Sequence, residues 1–317
     1  DHLSSWIPPS GSSFLISKEK GRHTRVKGVT DSIETYTKRQ RKKALSQAIV
    51  RRLLPFEASR MQSQYQRAMS CGNVVEQRDG KLTTWYCKTR PCLVCNGIRT
   101  AMLIDAYKPI VETWSDPALV TLTVPSPHLD NLRETLQEMT HQLNLIVLQL
   151  RRAGMDVRGV RVIESTEGDI PDHAHPHFHV LVSEMAVGRA IVQRWLQRYP
   201  KAVRSAQDVT KADTGTLKEL FKYVTKLSDP KADPKTLDGI LSSVHRLHLV
   251  RPFGFKLKRD PMDDEAFDEL VPVNVAFKRP DESVLWIWYD EIGNWVDHAT
   301  GEMLVDTVPP FGLSGFA

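Results

Sequence analysis

The chain has 317 residues, 41% of them hydrophobic and 26% charged, which allows one large domain or two ordinary ones with a sizeable core. Lys and Arg number 43 against 38 Asp and Glu, a formal charge of +5. No apolar run reaches the roughly 18 residues of a membrane-spanning helix, so no such helix is expected. The short patch Phe14-Leu15-Ile16 is followed, not preceded, by basic residues, which argues against a secretory signal and for a soluble cytoplasmic protein.

Positive charge is concentrated early in the chain, at Lys18, Lys20, Arg22, Arg25 and Lys27, then Lys38 to Lys43, then Arg51 and Arg52, while acidic residues crowd Asp260 to Glu269. A basic half suits a polyanion such as DNA, because each neutralised phosphate releases counterions. A solvated basic helix face is the competing explanation.

In chain order, residues 1–35 are polar and without sustained periodicity. Residues 36–54 and 56–70 read as helices broken at Pro55. A cysteine segment runs from 71 to about 99, and a helix is expected over 100–114, with Pro109 as a possible kink. Ala118 to Val124 is a β-branched run stopped by Pro125 and reads as a strand. Leu132, Leu136, Met139, Leu143, Ile146 and Leu150 recur at helical spacing, and Gly154 follows, which predicts a helix over 129–153. Strands are expected at 157–164 and 175–183 with a polar loop between them. A helix follows at 187–198, a strand at 202–209 and a helix at 214–227. This β-α-β-β-α-β-α order predicts an α+β fold of the split-βαβ, ferredoxin-like or RRM-like kind, an antiparallel sheet with helices on one face. Residues 235–250 read as a helix, and Val284 to Tyr289 with the turn at Gly293-Asn294 as a small β unit of no legible role.

Cys71, Cys87, Cys92 and Cys95 are all the cysteines of the chain, spaced C-x15-C-x4-C-x2-C. Four thiolates around one tetrahedral Zn2+ make a closed structural site. Four unrelated buried thiols, or a redox Cys-x-x-Cys pair, are the alternatives. Four protein thiolates would leave no open position for a catalytic ion.

His175-Pro-His177-Phe-His179-Val-Leu-Val182 puts three imidazoles on one face of a strand and Pro176, Phe178 and Val180 on the other, toward a core. Crowded imidazoles point to a metal ion, with ordinary packing as the alternative. A hard divalent cation needs an oxygen ligand, and Glu164, at the end of the preceding strand, is the nearest donor across a hairpin; Glu167 and Asp169 are rivals in the loop.

His-Pro-His-Phe-His-Val-Leu resembles the His-hydrophobe-His signature of the HUH endonuclease superfamily. By that resemblance His177 and His179 hold Mg2+ or Mn2+, with imidazole ligands favouring Mn2+. Glu164 fits the third ligand and His175 lies beside the site. The superfamily also implies a nucleophilic tyrosine on a helix. Lys218 to Lys226 reads as helical, with Glu219 and Tyr223 four residues apart on one face and Lys222 and Lys226 flanking them. This is similar to the catalytic helix of rolling-circle plasmid replication initiators. The resemblance implies that Tyr223 takes the 5′-phosphate as a covalent ester and leaves a 3′-OH primer, that Glu219 activates water for release, and that the lysines hold phosphates. An ordinary amphipathic helix with a surface pair is the plain alternative.

Leu119 to Thr123 looks like the first motif of the family. Trp85 to Arg99 is similar to its cysteine region, although Leu93 stands where a proline is usual. The likeness spans about residues 71–257. It does not explain the first seventy residues or the tail; the division expected is a basic, partly flexible or helical N-terminal region over 1–70, a four-cysteine zinc segment and helix over 71–114, an endonuclease domain over 115–257 and a C-terminal extension with short strands over 258–317. The partners implied are single-stranded or hairpin origin DNA, with a host helicase and polymerase; the oligomeric state is open. A transposase or relaxase of the same chemistry, and a zinc-dependent nucleic-acid-binding protein without catalysis, remain as alternatives.

Overall fold

The structure is a computed structural model that describes residues 33–78, 81–213, 215–222, 232–257 and 284–306. Tyr223, Lys226 and the basic residues up to Lys27 lie outside the described residues.

The fold is α+β with antiparallel sheets. Its main sheet is built from β3 (Ala118–Thr123), β4 (Gly159–Glu167), β5 (Ala174–Val182), β6 (Asp208–Lys211) and β7 (Val250–Phe253), in the order β6-β3-β5-β4-β7. Every neighbouring pair is antiparallel. β3 and β4 are joined by α4 (Leu129–Arg152), and β5 and β6 by α5 (Met185–Arg198).

Local sequence explains these elements. The six apolar positions at helical spacing in α4 are all buried. His128 accepts the Asp130 backbone N–H at its start, and Gly154, at φ 87°, turns the chain out of it. The α4 stripe and Val187, Ile191 and Trp195 of α5 share one core with Val120, Leu122, Phe178 and Val180 of the sheet. A helix α7 (Pro234–Val244), capped by Asp233 at the Thr236 N–H, joins the same core.

Helices were expected on one face alone, and the structure differs. Leu103, Tyr107 and Val111 of α3 (Leu93–Val111) and Leu217, Leu220 and Phe221 of α6 (Thr216–Lys222) cluster with Val160, Val162 and Leu181, which alternate onto the other face. β4 is thus buried on both faces along most of its length. The expected helix over 235–250 stops at Val244: Arg246 takes a left-handed φ of 60°, and the chain returns as β7 along β4. The strand expected at 202–209 is a short 3-10 turn at 204–206 followed by β6.

Before the sheet come α1 (Ile33–Leu53) and the short α2 (Gln62–Met69), then β1 (Val74–Arg78) and β2 (Lys81–Thr84), a hairpin not anticipated between Cys71 and Cys87. β8 (Val284–Tyr289) pairs with β1, and β9 (Asn294–Asp297) with β8, giving a second sheet in the order β2-β1-β8-β9. Trp295 stacks edge-on against Tyr36 of α1 at 5.4 Å, and Trp288 Nε1 donates to Gln47 Oε1 at 2.9 Å. The tail strands therefore fold back on the first helix.

Candidate metal centres

β4 and β5 run antiparallel with Glu164 opposite His177 and Val162 opposite His179. Paired positions share a face, so Glu164, His175, His177 and His179 project together. His179 Nε2 lies 2.8 Å from Glu164 Oε2, and His177 Nδ1 lies 3.8 Å from the same oxygen. One ligand atom from each of the three falls within 4.8 Å of the others. The 2.8 Å contact is close to the edge of roughly 3 Å that an octahedron with bonds of about 2.1 Å requires. Two imidazoles and a carboxylate are therefore spaced to hold one divalent ion.

Burial grades across this cluster. The Glu164 side chain is 2% exposed, that of His179 8% and that of His177 20%, so access is from the His177 side. His175 stands next to His177, with ring centroids 4.1 Å apart. Burial, and then the neighbouring His177, hold its pKa below the ordinary imidazole value. Glu167 and Asp169 are exposed and lie outside the cluster.

Residues not singled out from the sequence complete the surroundings. Thr121 and Thr123 of β3 pair with His179 and His177. Thr123 Oγ1 is 3.0 Å from His175 Nε2 and donates to the Pro176 carbonyl. The Thr123 N–H is held by the buried Gln207 Oε1 at 2.8 Å. Alternation along Leu119 to Thr123 was the available signal, since both threonines fall on the face of the histidines.

Glu219 and Lys222 are exposed on α6, with Glu219 Oε1 3.8 Å from Lys222 Nζ. α6 packs on the same sheet face as the imidazoles, through Leu217, Leu220 and Phe221. Tyr223, next in sequence after Lys222, is outside the described residues, as is Lys226.

The four cysteines form a second cluster. All are buried and none is in a disulfide. Cys71 Sγ is 3.7 Å and Cys87 Sγ 3.6 Å from Cys95 Sγ, and all four sulfurs lie within 4.8 Å of one another. A tetrahedral ion with metal–sulfur bonds of about 2.3 Å sets its sulfurs roughly 3.8 Å apart, so the donors fit. The Cys87 N–H points at Cys71 Sγ, and the Thr89 hydroxyl lies 3.1 Å from Cys87 Sγ. Lys43 of α1 donates to the Cys71 carbonyl and to Asn73 Oδ1, each at 2.6 Å. Burial lowers its pKa to about 8, although the cysteine charges and Asp290 oppose that shift. A buried ammonium beside several thiolates offsets their negative charge.

Residues 80–186 match the model of a family described as replication protein (Rep_1). That segment contains Cys87, Cys92, Cys95, Glu164 and the three histidines, and ends before Glu219. The chain is 24% identical over 221 residues to a protein called "Protein rep" from Streptococcus pneumoniae serotype 2 (strain D39 / NCTC 7466), a match that covers 60% of this chain and 68% of that protein. No solved structure matches the chain. The chain is thus similar, over part of its length, to proteins described as replication proteins.

Proposed function

We propose that the chain is a rolling-circle plasmid replication initiator that nicks one strand of its origin, and that the sheet β6-β3-β5-β4 is the split-βαβ core of an HUH endonuclease over residues 115–257. The observation that carries this is the convergence of Glu164, His177 and His179 on the accessible end of a sheet face whose other end is covered by α6. The connection of β3, β4, β5 and β6 through α4 and α5 supports the same fold.

In this reading the Tyr223 oxygen attacks the phosphorus of the scissile phosphodiester. A P–O bond forms to the phenol oxygen, the bond to the 3′ oxygen breaks, and the phenol proton passes by way of solvent to the leaving oxygen. Glu164, His177 and His179 would hold a divalent ion, Mn2+ or Mg2+, which would polarise the phosphate and offset the charge that builds on its oxygens. His175 borders the site, and Lys222 and Lys226 steady the flanking phosphates. The free 3′-OH primes synthesis and can return to rejoin the strand. Glu219 draws a proton from water to free the enzyme by hydrolysis. Cys71, Cys87, Cys92 and Cys95 hold a structural Zn2+. Origin DNA in single-stranded or hairpin form is the substrate, host helicase and polymerase are the partners that follow, and the bacterial cytoplasm is the compartment.

A labelled origin hairpin with Mn2+ is expected to give a covalent adduct that migrates with the protein and maps to Tyr223. Full adduct formation by a Tyr223→Phe protein would refute the assignment, and binding without any cleavage would favour the non-catalytic alternative.

A further inference from the structure

β3 and β5 pair so that Thr121 stands opposite His179 and Thr123 opposite His177, on the face that carries the imidazoles. Each hydroxyl meets a ring nitrogen. Thr121 Oγ1 lies 3.5 Å from His179 Nδ1, and Thr123 Oγ1 lies 3.0 Å from His175 Nε2. His179 thus uses both nitrogens, Nε2 toward Glu164 Oε2 at 2.8 Å and Nδ1 toward Thr121. A hydroxyl has one hydrogen and two lone pairs. The Thr123 hydrogen goes to the Pro176 carbonyl at 3.0 Å, so His175 has to bring its own. Two lone pairs facing each other at that distance would repel. Neutral His175 therefore carries its proton on Nε2, and the ring so fixed lies against His177 with centroids 4.1 Å apart.

Thr123 is itself held from two sides. The pairing of β3 with β6 ends at Thr121 and Asp208, which leaves the Thr123 backbone beyond it. The buried Gln207 accepts the Thr123 N–H on Oε1 at 2.8 Å, and the buried Trp195 donates from Nε1 to the Thr123 carbonyl at 3.0 Å. Gln207 is anchored in turn, since its Nε2 donates to the Val203 carbonyl at 2.9 Å. Side chains from α5 and from the turn before β6 thus fix where the Thr123 hydroxyl sits.

We propose that Thr121 and Thr123 are positioning residues of the Glu164 centre, which set the orientation and the proton placement of the imidazole row. His179 has two states to serve. Without an ion, its Nε2–H donates to Glu164 and its Nδ1 accepts the Thr121 hydroxyl. To offer Nε2 to an ion, neutral His179 has to carry its proton on Nδ1, which then donates to Thr121 Oγ1. A hydroxyl answers both states, and a methyl group answers neither. Partners of this kind fix the tautomer and the ring orientation of a ligating imidazole and raise its basicity. The proposal rests on the reading of Glu164, His177 and His179 as ligands, and it is independent of Tyr223 and of cleavage.

The test titrates Mn2+ into the full chain by calorimetry. T121V keeps the branched shape of the side chain and is expected to lower Mn2+ affinity about tenfold or more. T121A, which also lacks the hydroxyl, should lose as much, and T121S, which keeps it, should bind as the wild type does. Proton placement is read separately, from long-range 1H–15N spectra of histidine-labelled protein above the imidazole titration range. Metal-free wild type is expected to carry the His175 and His179 protons on Nε2, and diamagnetic Mg2+ should move the His179 proton to Nδ1. T123V should lose the protected His175 imidazole N–H signal, and T123S should keep it. Wild-type Mn2+ affinity in T121V and T121A, losses in T121S equal to theirs, or a His175 proton on Nδ1 would each overturn the proposal. Any of these with Mn2+ bound by the wild type removes the positioning role alone. A wild-type protein that takes up neither Mn2+ nor Mg2+ overturns the proposal together with the metal-centre reading beneath it.

Discussion

His179 Nε2 lies 2.8 Å from Glu164 Oε2, although the strand register sets Glu164 opposite His177, whose Nδ1 is 3.8 Å from that oxygen. One carboxylate oxygen thus serves two imidazoles, one directly across the hairpin and one on the diagonal. Such a contact is within reach on adjacent antiparallel strands. It makes Glu164 the residue on which the centre depends.

Glu164→Gln keeps the shape of the side chain and removes the anionic oxygen. Mn2+ affinity, measured by calorimetry, is expected to fall at least about tenfold, since even outer-shell changes cost that much. The metal-free protein should melt at the same temperature or higher, because an ionised carboxylate is costly to bury. Unchanged Mn2+ affinity would remove Glu164 from the ligand set.

Glu219→Ala should separate attack from release. Adduct formation is expected to persist, because the proposed nucleophile Tyr223 and the candidate metal ligands are unchanged. Hydrolytic loss of the adduct should slow by about a hundredfold, the lower end of what a positioned general base contributes. Chasing pre-formed adduct with unlabelled DNA and following its decay reads this directly. Decay at the wild-type rate would leave Glu219 as a surface partner of Lys222.

The hairpin that carries the histidines and the helix α4 could be read from the sequence because each has one clean period. His175, His177 and His179 alternate with Pro176, Phe178 and Val180, and the α4 stripe repeats at helical spacing. The second helical layer could not. β4 is buried on both faces, so Val160, Arg161 and Val162 show no alternation to reveal that α3 and α6 cover one of them. β7 was hidden because nothing in an arginine marks the left-handed turn at Arg246 that ends α7. The second sheet pairs Val75 with Trp286, a contact that no local period encodes. The β1–β2 hairpin did leave a cue, the Asp79-Gly80 pair between two β-prone runs.

Chelating the zinc proposed for the cysteine cluster should unfold more than a loop. Cys71, Cys87, Cys92 and Cys95 share a core with Ile49 and Leu53 of α1, Met61 just before α2 and Tyr65 within it. A structural zinc contributes on the order of 10 kcal/mol in small domains, comparable to the whole stability of an ordinary one. A strong zinc chelator, or Cys92→Ser, is expected to cut helical circular dichroism and lower the melting temperature by many degrees. A chelated protein that melts as before would reduce the four thiols to packing residues.

The tail strands should matter to that same cluster. Trp295 is 2% exposed, stacks on Tyr36 and Trp288, and donates through Nε1 to the Gly72 carbonyl at 2.7 Å, one residue from Cys71. Trp295→Ala leaves a cavity between α1 and the second sheet and an unanswered carbonyl beside a candidate ligand. It is expected to cost about 3–5 kcal/mol in urea unfolding and to speed zinc loss to a chromogenic chelator. Mn2+ affinity should not change, because no residue of the Glu164 centre belongs to the cluster around Trp295. A cost under about 1 kcal/mol, the size of an ordinary surface substitution, would mean that residues 284–306 contribute little to holding the cysteine hairpin in place.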